Sequence, residues 1–508
     1  MTQEERSRRI WITLAVMAAT VMQVLDTTIV NVALPHMAGQ LNATPDQISW
    51  VLTSYLVASG IFMPLTGYFT DRLGQRNFLL LSISGFVLAS VLCGLSTNLT
   101  EIVLFRILQG VFGAALVPLS QSIMLRSYPQ AERGKAMAIW GIGVMVGPIL
   151  GPTLGGYLTD VLNWRWTFFI NLPIGILSLL IAWKVIPNTE RKARSMDWLG
   201  MTLLFVAIGG LQLVLDRGNQ DDWFDSHNIQ IATLLSVLGF LGFAYHGLTH
   251  RGDTLFDLRI FRDKNFTTSS LIIAAFGLGL YGMMVLQPMM LESLLGIPTF
   301  TTGLLMAPRA VASMLSMFVV GRLVNKVDPR ILILIGITFS TLGTYGATHY
   351  NLDVDTWWLV WPVVVQGLGL GMVFVPLSTI AFSTLDPKHS AEASGIYSLL
   401  RTIGSSIGIS IVAATLTRHT QMAWNQVGAH IQLFNPALPA YLAPLHLEAQ
   451  DPQAAAILAQ ELSRQAQMIG FVDAFILIMW SFIAMAPMVF LLRKPKKIRA
   501  EPAVAVAE

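Results

Sequence analysis

The chain has 508 residues, of which 54% are apolar and only 12% charged, with a formal net charge of +3. A water-soluble domain of this length does not carry that balance, so the composition indicates an integral membrane protein. Its basic residues fall in short loops rather than on one face, which argues against nucleic acid as a partner, and the single cysteine, Cys93, rules out an intramolecular disulfide and reads as a small core residue.

Taken in chain order, the first element starts at the basic stretch "MTQEERSRRIW" and runs on, with no small-residue cleavage site, into an apolar segment long enough to span a bilayer. It therefore reads as a retained helix and not as a signal peptide. Apolar runs of about 20 residues lie near 11–35, 48–70, 78–96, 101–125, 134–159, 166–187, 198–215 and 228–248. Six more lie near 266–291, 301–321, 331–350, 357–382, 391–416 and 468–492, which makes fourteen expected transmembrane helices. Sorting the 32 Lys and Arg residues by loop orients them: 25 fall on the side of the amino terminus, four on the other, and Arg106, Arg309 and Arg401 lie within helices. Because cytoplasmic loops hold the basic excess, both termini are expected in the cytoplasm. The fold class is thus all-α and membrane-integral, in the inner (cytoplasmic) membrane.

The chain repeats itself. "GYFTDRLGQR" at 67–76 aligns without gaps on "GRLVNKVDPR" at 321–330, an offset of 254. At an offset of 257, Gln109 pairs with Gln366, and Gly147 and Gly151 pair with Gly404 and Gly408. The expected organisation is a six-helix half over 1–190, two inserted helices over 191–265, and a second six-helix half over 266–508 that carries a long outer loop at 417–467. Parallel halves of this kind are a common build of transporters, with substrate and ions held near the midplane between them.

Several residues stand out from this apolar background. Asp26 interrupts the first helix in "VMQVLDTTIVNVALP", where a carboxylate costs about 2.5–3.5 kcal/mol on insertion scales. It precedes Pro35 by nine residues, or about 13 Å of helix, and Arg106 enters the fourth helix at a similar depth. Burial disfavours the carboxylate and a neighbouring guanidinium favours it, so the two form either a proton-exchanging site or a structural ion pair. Gly143, Gly147, Gly151 and Gly155 recur every four residues and share one helix face, which lets another backbone approach closely, and Pro148 and Pro152 add bends. Such an element is expected to shape the interface between halves. Arg309 and Arg401 have no evident acidic partner at matching depth; they face a cavity or bond backbone carbonyls. Glu292 and Asp473 lie near the outer interface, as secondary acidic candidates or as solvated charges. His246 and His250 have the spacing of helical metal ligands but lack a third, so no metal is expected.

These motifs resemble those of the major facilitator superfamily and, within it, the fourteen-span drug:proton antiporters of the EmrB/QacA type. "GYFTDRLGQR", with Asp71, Arg72, Gly74 and Arg76, is similar to the superfamily's loop between helices two and three; in the second half Asn325 and Asp328 replace Asp71 and Gly74. "FRILQGVFGAA", with Arg106, Gln109 and Gly110, resembles the helix-four motif. "GVMVGPILGPTLGG", with Gly147, Gly151, Pro152, Gly155 and Gly156, resembles the helix-five motif of exporters. "LDTTIVNVALP", "WRWTFFINLPIG" and "LDRGNQDDWF" resemble the fourteen-span branch, the last nearest to its EmrB side.

The resemblance implies a major facilitator fold and a proton-coupled multidrug efflux antiporter that works by alternating access on hydrophobic or cationic small molecules. Asp26 and Arg106 would couple protons, Gln109, Gln366, Arg309 and Arg401 would line the substrate cavity, and Asp71, Arg72, Gly74 and Arg76 would form a gating loop. A periplasmic membrane-fusion adaptor and an outer-membrane channel are the implied partners beside lipids and lipophilic substrates, with 417–467 as a docking surface or a disordered connector. The alternative is a facilitator or proton symporter for a polar metabolite. No "GxxxxGK[ST]" occurs, so P-loop ATP hydrolysis is excluded, and no clustered catalytic set suggests an enzyme. The only expected driver is the proton-motive force, without a cofactor.

Overall fold

The computed structural model describes residues 3–493 except 192–194, 250–253, 256, 325, 433–434, 436, 446 and 449. Thirteen of its helices are long and apolar enough to cross a membrane. In chain order, α1 (Gln3–Gln40), α2 (Trp50–Leu73), α3 (Gln75–Leu95) and α4 (Leu99–Ser127) are followed by α5 (Arg133–Val161) and α6 (Trp166–Val185). The inserted pair is α7 (Trp198–Arg217) and α8 (His227–Thr249). Then come α9 (Lys264–Leu294), α10 (Phe300–Leu323), α11 (Pro329–Ala347), α12 (Thr356–Ala381), α13 (Ser390–Gly428) and α14 (Pro452–Val489). With α5, 29 residues long, every expected span has its helix.

Local chemistry explains where these helices begin. Asn98 Oδ1 accepts the Glu101 N–H at 2.9 Å while Glu101 Oε2 accepts the Thr97 N–H at 2.8 Å, a reciprocal capping box at the start of α4. Asp197, Asp263 and Asp328 are simple N-caps of α7, α9 and α11, each accepting a backbone N–H of the first turn. The replacement of Gly74 by Asp328 in the repeat therefore has a local meaning. Gly74 ends α2 with φ of 84° and has the Asn188 amide where a side chain would go, whereas Asp328 opens α11 as its cap, followed by Pro329. Asn325 lies outside the described residues.

The glycines of α5 sit on α1. A Cβ on Gly147 would lie 2.6 Å from the Val24 carbonyl carbon, one on Gly151 would lie 2.1 Å from Thr28 Oγ1, and one on Gly155 would lie 2.9 Å from the Ile29 carbonyl oxygen. Thr28 Oγ1 also donates to the Gly147 carbonyl at 3.0 Å. This face thus seats one helix of the same half against another and does not form the interface between halves. Only the opposite flank of α5 crosses over: Gly134, Ala138 and Gly141 approach Val324, Gly321 and Met317 of the second half. The repeat keeps the device, since Gly404 and Gly408 of α13 press on Ala274 and Leu278 of α9 as their mates press on α1.

Three elements run longer than expected. α1 continues through Pro35 to Gln40, which leaves Asp26 fourteen residues, about 21 Å, from its outer end instead of nine. α13 and α14 have 39 and 38 residues and project beyond the bilayer as a helical hairpin, so only 429–451 of the expected loop connects them. The physical reason is the absence of proline: 417–428 and 453–467 have none, and the second is rich in Ala and Gln, with Arg464 and Gln465 held on Glu461 at 3.0 and 2.8 Å. Close contact of Gly470 with Thr420, and of Gly428 with Leu462, keeps the two arms together.

The packing of α5 on α1 yields a test. Gly147→Val overfills a backbone contact and is expected to cost about 1–3 kcal/mol, seen as a lower thermal midpoint of the purified protein. Gly156→Ala, whose Cβ would meet nothing within 4 Å, is expected to leave the midpoint unchanged.

Candidate functional site

Asp26 of α1 and Arg106 of α4 meet at 2.7 Å, both side chains 0% exposed. A buried ion pair is tolerated only where further hydrogen bonds satisfy both partners, and these are present. Asp26 Oδ2 accepts from Arg106 Nη1, and Oδ1 accepts from Gln109 Nε2 at 2.9 Å and from Asn171 Nδ2 at 2.8 Å. Arg106 Nη1 is shared with Gln109 Oε1 at 2.8 Å, and Arg106 Nε donates to the Val51 carbonyl at 3.0 Å. Its guanidinium lies 4.2 Å from the centre of the Tyr55 ring, whose hydroxyl accepts from Gln23 Nε2 at 3.0 Å. The carboxylate is thereby gripped by three N–H donors from α4 and α6.

The spare capacity of this cluster is as informative as its bonds. Arg106 Nη2 and Asn171 Oδ1 are buried with no hydrogen-bond partner. A proton on Asp26 would remove the charge that orders Arg106 and Gln109, and those donors would have to find new acceptors. The carboxylate's charge thus ties together contacts among α1, α4 and α6. Asn171, Tyr55 and Gln23 were not expected here; the only sign was an asparagine in the apolar run "FFINLP".

The other sequence candidates fall elsewhere. Gln366, the repeat-mate of Gln109, donates to Thr344 Oγ1 at 3.3 Å and has no carboxylate. Arg309 has its Nε and Nη2 buried without a partner and stands near Tyr350. Arg401 lies 6.0 Å from the ring centre of Phe374, which stacks at 5.7 Å on Trp140 of the first half. Met317 reaches the same seam beside Gly141, so this part of the interface between halves is aromatic, thioether and cationic. Glu292 is exposed on a π-helical turn, and Asp473 of α14 is held by His419 of α13 at 2.7 Å. His246 pairs with the α7 cap Asp197 at 2.9 Å, whereas His250 lies outside the described residues, and no metal-binding group of three occurs among those described. The side chains of Pro148 and Pro152 likewise lie outside what is described.

Asp71, Arg72, Gly74 and Arg76, the expected gating loop, stand near the contact between halves at the cytoplasmic end. Arg72 Nη1 donates to Tyr68 Oη at 2.5 Å, the Arg76 N–H donates to Asn188 Oδ1 at 3.2 Å, and Asp71 is near enough for its charge to act on Arg126. Arg126 reaches across the halves, donating to Ser390 Oγ at 2.7 Å and to the Lys388 carbonyl at 3.3 Å. Next to it, Gly67 of α2 abuts Glu392 of α13, which also accepts the Asp257 N–H and faces His389 at 3.5 Å. The Glu392 hydrogen bond raises the affinity of His389 for its proton above the ordinary imidazole value.

Comparison with known proteins adds the following. Residues 16–409 match the family model described as Major Facilitator Superfamily. The chain is 36% identical over 493 residues to the "Fatty acid resistance protein FarB" of Neisseria gonorrhoeae, covering 96% of each. It is 35% identical over 495 residues to the "Multidrug export protein EmrB" of Escherichia coli (strain K12), covering 97% of this chain and 96% of that one. Among solved structures it is similar to the human organic anion transporter MFSD10 (TETRAN), with a TM-score of 0.59 at 14% identity over 93% of this chain and 99% of that one.

Two outcomes follow from the geometry. Arg106→Ala leaves a buried carboxylate without its counter-charge and is expected to cost about 3–5 kcal/mol, with Arg106→Lys in between because lysine keeps the charge but loses the flat, forked contact; thermal unfolding in detergent checks both. The His389 contact has a pH signature with a fixed sign. Because its folded value is raised, its stabilisation is fully present below the ordinary imidazole value of about 6.5 and is lost as pH rises through the raised one. Wild type is thus expected to exceed His389→Gln in thermal midpoint at acidic pH, and the difference is expected to vanish at alkaline pH.

Proposed function

The chain belongs to the major facilitator superfamily, and on that premise we propose that it is a proton-driven multidrug exporter of the EmrB type, a multi-pass protein of the inner membrane. The buried cluster of Asp26, Arg106, Gln109 and Asn171 carries this reading. It is a titratable group held deep in one half, with donors from neighbouring helices that depend on its charge. Protonation from outside and release to the cytoplasm would drive the halves between two states, and no cofactor beyond the proton-motive force enters. Relatives of 35–36% identity that bear export and resistance names support the direction of transport.

Substrates are expected to be small and hydrophobic or cationic. The seam of Trp140, Phe374, Met317 and Arg401 supports breadth, since thioether and aromatic side chains adapt to varied shapes. Gln109, Gln366 and Arg309 belong to the same proposal as polar groups within the two halves. The seal of Arg126, Ser390 and Glu392, with Asp71, Arg72, Gly74 and Arg76 beside it, would open to the cytoplasm to admit substrate. The projecting hairpin of α13 and α14 offers a surface for a periplasmic membrane-fusion adaptor, itself leading to an outer-membrane channel.

The test uses purified protein in liposomes with an imposed pH gradient and a fluorescent lipophilic cation. Wild type is expected to move dye against the proton flux, and Asp26→Asn to insert and bind dye but show no gradient-driven transport. Transport of the mutant at the wild-type rate would remove Asp26 from coupling, and dye moving with the protons would replace the antiporter reading by a symporter.

A further inference from the structure

The inserted pair has no counterpart in the repeat, yet α7 does not lie apart from the transport halves. At the cytoplasmic end α2 and α13 touch directly, with Gly395 against the Met63 carbonyl and Glu392 against Gly67. In their outer halves α7 stands between them. Towards α2, Ile208 lies against Gly60, the Arg217 guanidinium lies 5.2 Å from the Trp50 ring centre, and Thr53 stands beside Asp216. Towards α13, the Leu215 carbonyl accepts from Ser410 Oγ at 2.8 Å, and Asn219 Nδ2 just beyond α7 donates to Thr417 Oγ1 at 3.3 Å. Within one turn, residues 215 to 219 therefore hold both halves.

Asp216 sits in that turn. Its Oδ1 accepts from Gln212 Nε2 at 3.0 Å, whereas its Oδ2 is shielded from solvent and has no well-formed hydrogen bond, the Thr53 hydroxyl being close enough to act only as a weak donor to the carboxyl. Asp26 differs in having donors on both oxygens. The charged group acting on Asp216 is Arg217 on its own helix, and what α2 presents to it is the hydroxyl of Thr53. An ionised carboxylate with one oxygen buried and only weakly donated is costly, and a proton on that oxygen removes the charge. Asp216 is the next-to-last residue of α7, near the outer face.

We propose that Asp216 is a second proton-binding group of the transport cycle, loaded from the outer side, which sets whether α7 bridges the two halves. In the cytoplasm-sealed arrangement it carries a proton on Oδ2. When the halves rock and the outer parts of α2 and α13 close on each other, the bridge made by residues 215 to 219 must break on one side. The carboxyl then meets different surroundings and the proton leaves. This rests on the exporter reading for its role in transport, but the protonation itself does not.

Two measurements on the full-length protein separate the issues. Infrared difference spectra of the purified chain in nanodiscs report the C=O band of a protonated carboxyl; at neutral pH this band is expected in wild type and reduced in Asp216→Asn. Identical bands in the two proteins would overturn the proposal. Dye transport in liposomes at acidic and alkaline outer pH is the second readout. Asp216→Asn is expected to weaken the dependence on outer pH at least ~5-fold, the low end of ordinary coupling between sites, and Asp216→Glu to retain it. A mutant whose rate is scaled equally at every pH would make Asp216 a structural pin and sink the proposal. Should wild type show no gradient-driven transport at all, the exporter reading fails, and the infrared band still decides whether Asp216 holds a proton.

Discussion

A carboxylate and a guanidinium cannot be taken out of water together unless every remaining lone pair and N–H is nearly accounted for. That requirement organises the first half of the molecule. Asp26 comes from α1, Arg106 and Gln109 from α4, and Asn171 from α6, and α2 contributes the Tyr55 ring and the Val51 carbonyl. The four helices have to arrive at one depth and in one rotation. The glycine face of α5 makes this achievable by letting α1 settle backbone to backbone at Val24 and Leu25, immediately before the aspartate. A motif that looks like packing thus sets the position of a charge.

The second half keeps the packing and discards the charge. Gly404 and Gly408 seat α13 on α9 as Gly147 and Gly151 seat α5 on α1, but the mate of Gln109 bonds a threonine hydroxyl. Where the first half balances a cation with an anion, the second holds Arg309 with two unpartnered nitrogens. The duplicated scaffold is therefore symmetric in its close contacts and asymmetric in its electrostatics. On the proposed reading, a proton at Asp26 would change one half and leave the other as it was, and such a difference is what biases a two-state equilibrium.

Much of this was legible in the sequence for a simple reason: charges inside apolar runs are rare and visible. Asp26 and Arg106 declared themselves, and the basic loops oriented the chain. Asn171 and Tyr55 did not, because neutral polar and aromatic residues are ordinary in membrane helices and nothing local says which of them face a charge. Periodicity identified the glycine face of α5 but could not name the helix against it, which is α1 of the same half, while another flank of α5 meets the second half. The segment 417–467 misled for a different cause. Its four prolines all lie between 436 and 452 and its flanks hold none, but composition alone leaves those flanks compatible with helix and with linker, and the packing of Gly470 on Thr420, which decides it, joins residues fifty apart.

α13 is one uninterrupted rod of 39 residues, about 58 Å long, with Ser390 and Glu392 at the cytoplasmic seal and Gly428 far outside the bilayer. A rigid rod is a lever. A tilt of about 10° pivoted at the seal would swing its outer tip by roughly 10 Å over that length, more than the width of a helix backbone. Anything resting on the hairpin would feel such a tilt as a mechanical stroke, carried across the bilayer by the helix itself.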